Sequence, residues 1–121
     1  MGRRILVIDD DEMIRTFVYD ALSLKGYEVD TASNGNEAIE MLKQKSYYLV
    51  ITDYMMPTIN GYELIEWLRK RDSSIPVILI SGSESIMDME LCDSIVFLKK
   101  PFGVSELYET VISVLMSNPP H

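Results

Sequence analysis

Residues 4–12 read Arg4-Ile5-Leu6-Val7-Ile8-Asp9-Asp10-Asp11-Glu12. Four apolar residues, three of them β-branched, run straight into four acids. An apolar run this short, with no polar alternation, marks a strand covered on both faces. Behind the acids, Ile14, Phe17, Val18, Ala21 and Leu22 recur at spacings of three and four, one stripe of a helix. Gly26 stands where that helix should stop. A doubly buried strand feeding an amphipathic helix is half of a βαβ unit, and the rest of the chain repeats it.

Residues 27–32 form a second, less apolar strand, which predicts a sheet edge. Asn34 and Glu37 have capping-box spacing and open a helix to about residue 45. Residues 48–52 form a third strand that ends at Asp53. A loop over 54–60, containing Pro57, leads to a helix capped by Asn60, with Leu64, Ile65 and Leu68 facing inward. Residues 77–80 form a fourth strand ending at Ser81, and residues 95–98 a fifth, followed by Lys99-Lys100-Pro101-Phe102. Val104, Leu107, Tyr108, Val111, Ile112 and Leu115 stripe a last helix, and residues 117–121 read as a frayed tail or the start of a linker. Five strands alternating with helices predict an α/β fold: a doubly wound, five-stranded parallel sheet with helices on both faces. Ligands of such sheets bind beyond the carboxyl ends of the strands.

The 121 residues suit one domain, 1–121, with a core of about 4–116. One cysteine, Cys92, cannot make an internal disulfide, which fits a reducing, cytoplasmic setting. Nineteen acids against eleven bases give a net charge of -8, which argues against direct nucleic-acid binding. The apolar runs fall short of the roughly 20 residues a membrane helix needs, and Ile5 to Ile8 is too short for a signal-peptide core.

The polar residues that end the strands share one rim: Asp9 to Glu12, Asp53, Ser81 and Lys100-Pro101. Carboxylates gathered there repel one another, and a hard cation relieves that repulsion. An all-oxygen donor set suits Mg²⁺ (or Mn²⁺) rather than Zn²⁺. A lysine on the same rim offers a point charge for phosphate, and a carboxylate can itself attack phosphorus. Carboxylates, a divalent cation and a lysine are the parts of a phosphoryl-transfer site.

In this arrangement the chain resembles the receiver domain of bacterial two-component response regulators, over roughly residues 4–116. The resemblance rests on Asp9-Asp10, Asp53, Met56-Pro57 with Gly61, Ser81, and Lys100-Pro101-Phe102, each after the fitting strand. It implies a flavodoxin-like strand order of 2-1-3-4-5. It implies that Asp53 accepts the phosphoryl group and that Mg²⁺ is held by Asp10, Asp9, Asp53 and the backbone carbonyl of Met55. Lys100 would pair with Asp53, Ser81 would bond the phosphoryl group, Phe97 would be the switch aromatic, and the Lys100–Pro101 peptide would be cis. The implied partners are a histidine kinase or phosphotransfer protein and a downstream protein, with the domain a monomer or weak homodimer. It would catalyse only its own phosphorylation and dephosphorylation. Residues 72–121 carry -5 of the net charge, which favours a downstream partner with a basic patch. A receiver uses nearly the whole length, so output is expected in trans or in a part not included.

Other readings stay open. Asp11 and Glu12 read as charges favoured by the helix dipole, Lys99 as a solvated lysine, Trp67 as a helix-surface or packing residue, Cys92 as a plain thiol and His121 as no ligand. The segment from Ser81 to Phe97 is about one turn short for the family's fourth helix, which predicts a short, irregular or mobile helix over 82–94. Asp9 and Asp11 have the spacing of a haloacid-dehalogenase-type phosphohydrolase, whose specificity insert is missing. A phosphorylation-independent interaction domain and a purely structural α/β domain complete the alternatives.

Overall fold

Alternation along each strand decides which residues meet in the core. In the computed structural model, which describes residues 4–71, 74–82 and 95–117, the elements run in chain order. They are β1 (Arg4–Ile8), α1 (Glu12–Leu24), β2 (Glu28–Ala32), α2 (Gly35–Gln44) and β3 (Leu49–Asp53). Then follow α3 (Gly61–Lys70), β4 (Val77–Ser81), β5 (Ile95–Lys99) and α4 (Val104–Ser117). All strand pairings are parallel and the order is β2-β1-β3-β4-β5. β2, predicted as an edge, is one. The predicted helix within 82–94 falls almost wholly outside the described residues, as does the tail 118–121; α4 here is the C-terminal helix.

Ile5, Val7, Leu49, Ile51, Ile78 and Ile80 face α1 and α4, where Val18, Leu22, Leu107 and Val111 meet them. Leu6, Ile8, Val50, Val77 and Leu79 face α2 and α3, against Ala38, Leu64, Ile65 and Leu68. Burying a side chain of this kind contributes about 1.5–3 kcal/mol. Two separate cores, one on each face, explain why β1, β3 and β4 show no polar alternation.

The helix ends follow from side-chain caps, with two differences from expectation. Asn60 and Glu63 make a reciprocal capping box. At α2, Asn34 accepts from the Glu37 N–H, but Glu37 reaches back to the Ser33 N–H rather than to that of Asn34. The reason is backbone rotation: Asn34 is fully extended at φ -159°, against -84° at Asn60, which turns its own N–H away from the helix. Asp11, read as a charge without a role, is the N-cap of α1 and accepts from the Met13 N–H at 2.9 Å. Gly26 ends the α1 connection at φ +90°, a conformation that favours glycine.

Candidate functional site

The carboxyl ends of β1, β3 and β4 and the residues after β5 form one rim, and the sheet register brings their polar side chains together. Asp9 follows Ile8, the last residue of β1, and is fully buried; its N–H donates to the Ala32 carbonyl at the end of β2. Asp53 ends β3 and pairs in register with Ile80 of β4. Ser81 ends β4 and, like Asp53, is buried. Its carbonyl accepts from the Lys100 N–H at 2.8 Å, which anchors the turn after β5. The Lys100–Pro101 peptide is cis.

This frame places the Lys100 Nζ 3.2 Å from Asp53 Oδ1 and 3.9 Å from Asp9 Oδ2. The first distance is a charge-assisted hydrogen bond; the second is too long to be one. Asp9 Oδ1 accepts from the Asp11 N–H at 2.9 Å, but Oδ2 is buried without a hydrogen-bond partner among the described residues. Asp9, Asp10 and Asp53 offer carboxylate oxygens that all lie within 4.8 Å of one another.

The electrostatics follow. Burial pushes the Asp9 carboxyl up to about 6, with the Asp53 and Asp10 charges adding to it and the Asp11 N–H and Lys100 opposing. Burial also raises Asp53, against the pull of the Lys100 charge. Desolvated carboxylates with an orphan oxygen are poised to gain from a cation. The donor set is oxygen-only, with exposed Asp10 leaving one side open, and this fits Mg²⁺ or Mn²⁺.

The remaining predicted residues are placed as follows. Met55 lies in the loop after β3 with its side chain exposed. Phe97 pairs with Leu79, is half-buried and packs on the α2–α3 core, the face that alternation also assigns to Ser81. Asp11 is turned to its capping bond and lies outside the acidic trio, so the Asp9/Asp11 pairing of a phosphohydrolase is not formed.

Two contributors were not legible in the chain. Arg15, in the first turn of α1, donates to the Asp9 backbone carbonyl at 2.8 Å and steadies the turn that carries Asp9 and Asp10. Its signal was a base at the positive end of a helix dipole, where acids are preferred. Gly61, noted only as a motif member, lies under the end of β3. A Cβ there would sit 2.6 Å from the Asp53 carbonyl oxygen and 2.9 Å from the Tyr54 Cα.

Comparison with known proteins agrees with this geometry. The family model described as the response regulator receiver domain matches residues 5–112. The chain is 38% identical over 120 residues to the "Probable transcriptional regulator ycf27" of Porphyra purpurea, covering 93% of this chain and 47% of that protein. It is 31% identical over 126 residues to the "Response regulator MprA" of Mycolicibacterium vanbaalenii, covering 99% and 53%. The chain thus spans about half the length of the curated relatives it matches. Among solved structures, it resembles the response regulator protein TrrA of Thermotoga maritima in complex with Mg²⁺-BeF. That match has a TM-score of 0.84 at 36% identity, covering 95% of this chain and all of that one. The chemotaxis response regulator CheY4 of Vibrio cholerae gives a TM-score of 0.86 at 27% identity, with 95% and 100% covered. No helix among the described residues is long and apolar enough to cross a membrane. Fold, rim and sequence relatives agree, and the chain belongs to the response regulator receiver domain family of two-component signalling.

Proposed function

We propose that this receiver is switched by phosphorylation of Asp53. The observation that carries the reading is the Lys100–Asp53 contact of 3.2 Å beside two further carboxylates at the same rim. The phosphoryl donor is a histidine kinase or phosphotransfer protein. A carboxylate oxygen of Asp53 forms the new P–O bond as the P–N bond of a phosphohistidine breaks, and the imidazole leaves with a proton. Lys100 neutralises charge on the transferred oxygens and holds Asp53 in line. Asp9, Asp10 and Asp53, with the Met55 carbonyl, would hold Mg²⁺ or Mn²⁺. The bound cation supplies charge neutralisation at the phosphoryl oxygens. The chain catalyses only its own phosphorylation and dephosphorylation.

After transfer, the phosphoryl dianion draws Lys100 and Ser81 toward it, and Phe97 repacks against Leu79. Phe97 lacks a hydroxyl, so the coupling is carried by packing and by Ser81. This biases a two-state equilibrium that a downstream protein partner reads. The acidic second half of the chain suits a partner with a basic patch. The domain acts as a cytoplasmic monomer or weak homodimer, without contacting nucleic acid itself.

Incubation with Mg²⁺ and acetyl phosphate, followed by intact-mass measurement, tests the reading. One phosphoryl adduct that is lost in Asp53→Asn is expected. Absence of any adduct, together with absence of Mg²⁺ binding, overturns it in favour of a phosphorylation-independent interaction domain.

A further inference from the structure

At the opposite end of the sheet from Asp53, the C-terminal ends of α2 and α3 border a groove of about 280 Å³. Leu42, Leu68, Ile75 and Trp67 give it apolar walls, and Lys45 and Arg71 also line it. Leu68 is buried in the α2–α3 core, while Trp67 and Ile75 are half-buried. The walls are therefore the exposed edge of a packed core.

Bases cluster at this end of a chain that is acidic as a whole. Lys43, Lys45, Arg69, Lys70 and Arg71 gather at the two helix ends, in a protein of net charge -8. Bases at helix C-termini are favoured by the dipole, so their presence alone says little. Their pairing says more. Lys43 is paired with Glu40, and Lys45 lies 3.3 Å from Asp30. Arg71 has no carboxylate partner among the described residues, which do not include Asp72. It lies 4.8 Å over the Trp67 ring instead. A guanidinium held over an indole face still has several N–H donors to offer, in a planar fork that suits a carboxylate.

We infer that this groove docks an acidic segment of a partner protein, with one large apolar side chain between Leu42, Leu68, Ile75 and Trp67 and a flanking carboxylate on Arg71. The volume lies below the roughly 300–1,000 Å³ of pockets for drug-sized ligands, but it accommodates a single aromatic or leucine side chain. The charge sign selects an acidic partner, opposite to the basic partner proposed for the other surface. The groove borders the amino ends of β3 and β4, at residues 47 and 75, while Asp53 and Ser81 end the same strands. The two sites are therefore separated by six residues of extended chain, about 20 Å.

Trp67 is the only tryptophan, so its emission reports the groove directly. The probe is a blocked nonapeptide of alternating aspartate and glutamate around one central phenylalanine, titrated at low salt with excitation selective for tryptophan. A saturable change in Trp67 emission is expected below millimolar peptide, weakening as salt rises. Replacing the phenylalanine by serine, or the acids by glutamine, should each weaken binding at least tenfold. Arg71→Gln should do the same and Arg71→Lys less, with thermal melts verifying that both variants fold. No saturable change up to millimolar peptide, equal binding of the serine peptide, or unchanged affinity in folded Arg71→Gln would each overturn the inference.

Discussion

Asp9→Asn should make the metal-free protein more stable at neutral pH, although it removes a site residue. The wild-type carboxyl is fully buried, and its Oδ2 lacks a hydrogen-bond partner among the described residues. Its rise from 3.8 to about 6 means that ionised Asp9 opposes folding. At ~1.4 kcal/mol per pH unit, the full cost is about 3 kcal/mol. The sign is set by proton binding. Folded Asp9 holds its proton more tightly than the unfolded chain does, so this contribution is most favourable below about pH 4. It declines as pH rises toward 6 and is constant above. Asparagine cannot ionise, and its carbonyl oxygen can still accept from the Asp11 N–H, as Asp9 Oδ1 does at 2.9 Å. Urea unfolding in EDTA from pH 4 to pH 8, followed by circular dichroism, measures the gap. The variant should gain on the wild type by up to about 3 kcal/mol between pH 4 and pH 8, most of it below about pH 6. Mg²⁺ should then stabilise the wild type and have much less effect on the variant. A gap that does not change with pH, or a variant less stable at pH 8, would refute the reasoning. Either result would mean that the buried carboxylate is satisfied in a way the site geometry does not explain.

Three further outcomes follow from named contacts. Lys100→Gln removes the cation 3.2 Å from Asp53 and should slow phosphorylation by acetyl phosphate about 10²-fold, followed by intact mass, while the fold persists. Gly61→Ala forces a Cβ to within 2.6 Å of the Asp53 carbonyl oxygen, which is backbone and cannot swing aside. A loss of about 1–3 kcal/mol in urea unfolding and a slowed phosphorylation are expected. Tyr47→Phe removes the 2.7 Å hydrogen bond to Asp30, which should cost about 1–2 kcal/mol. Burial opposes ionisation of Asp30, but the Tyr47 and Lys45 hydrogen bonds and the Lys45 and Arg4 charges hold its carboxyl below the usual range. That stability is present above the unfolded value and is lost as pH falls through the folded one. The deficit of Tyr47→Phe should therefore shrink on acidification, as titrated unfolding curves can show.

Much of the fold was legible because its signals are local. Ile5 to Ile8 or residues 77–80 can be read as buried strands without knowing their neighbours. Asn60 marks a helix start as a single capping residue. The rim was legible for a related reason. In a parallel sheet every strand ends on the same side, so Asp9, Asp53, Ser81 and Lys100 had to converge once their strands were identified. The Asn34–Glu37 spacing was read correctly as a cap, but the destination of the carboxylate depended on a single φ angle that sequence does not specify.

The sequence by itself therefore determined the layer architecture and the acidic rim, because hydrophobic periodicity and strand-end chemistry are properties of short windows; the expected roles of Asp53, Asp10 and Lys100 came from the family resemblance. Only the tertiary structure decided which oxygen of Asp9 has no hydrogen-bond partner among the described residues, that Arg15 steadies the turn beneath it, and that Gly61 lies against the Asp53 carbonyl. It also decided that a groove opens beside Trp67 and Arg71, between the ends of α2 and α3. These features depend on distances of a few ångströms between segments brought together by folding. Desolvation and hydrogen bonding change steeply over such distances, while the sequence records only order.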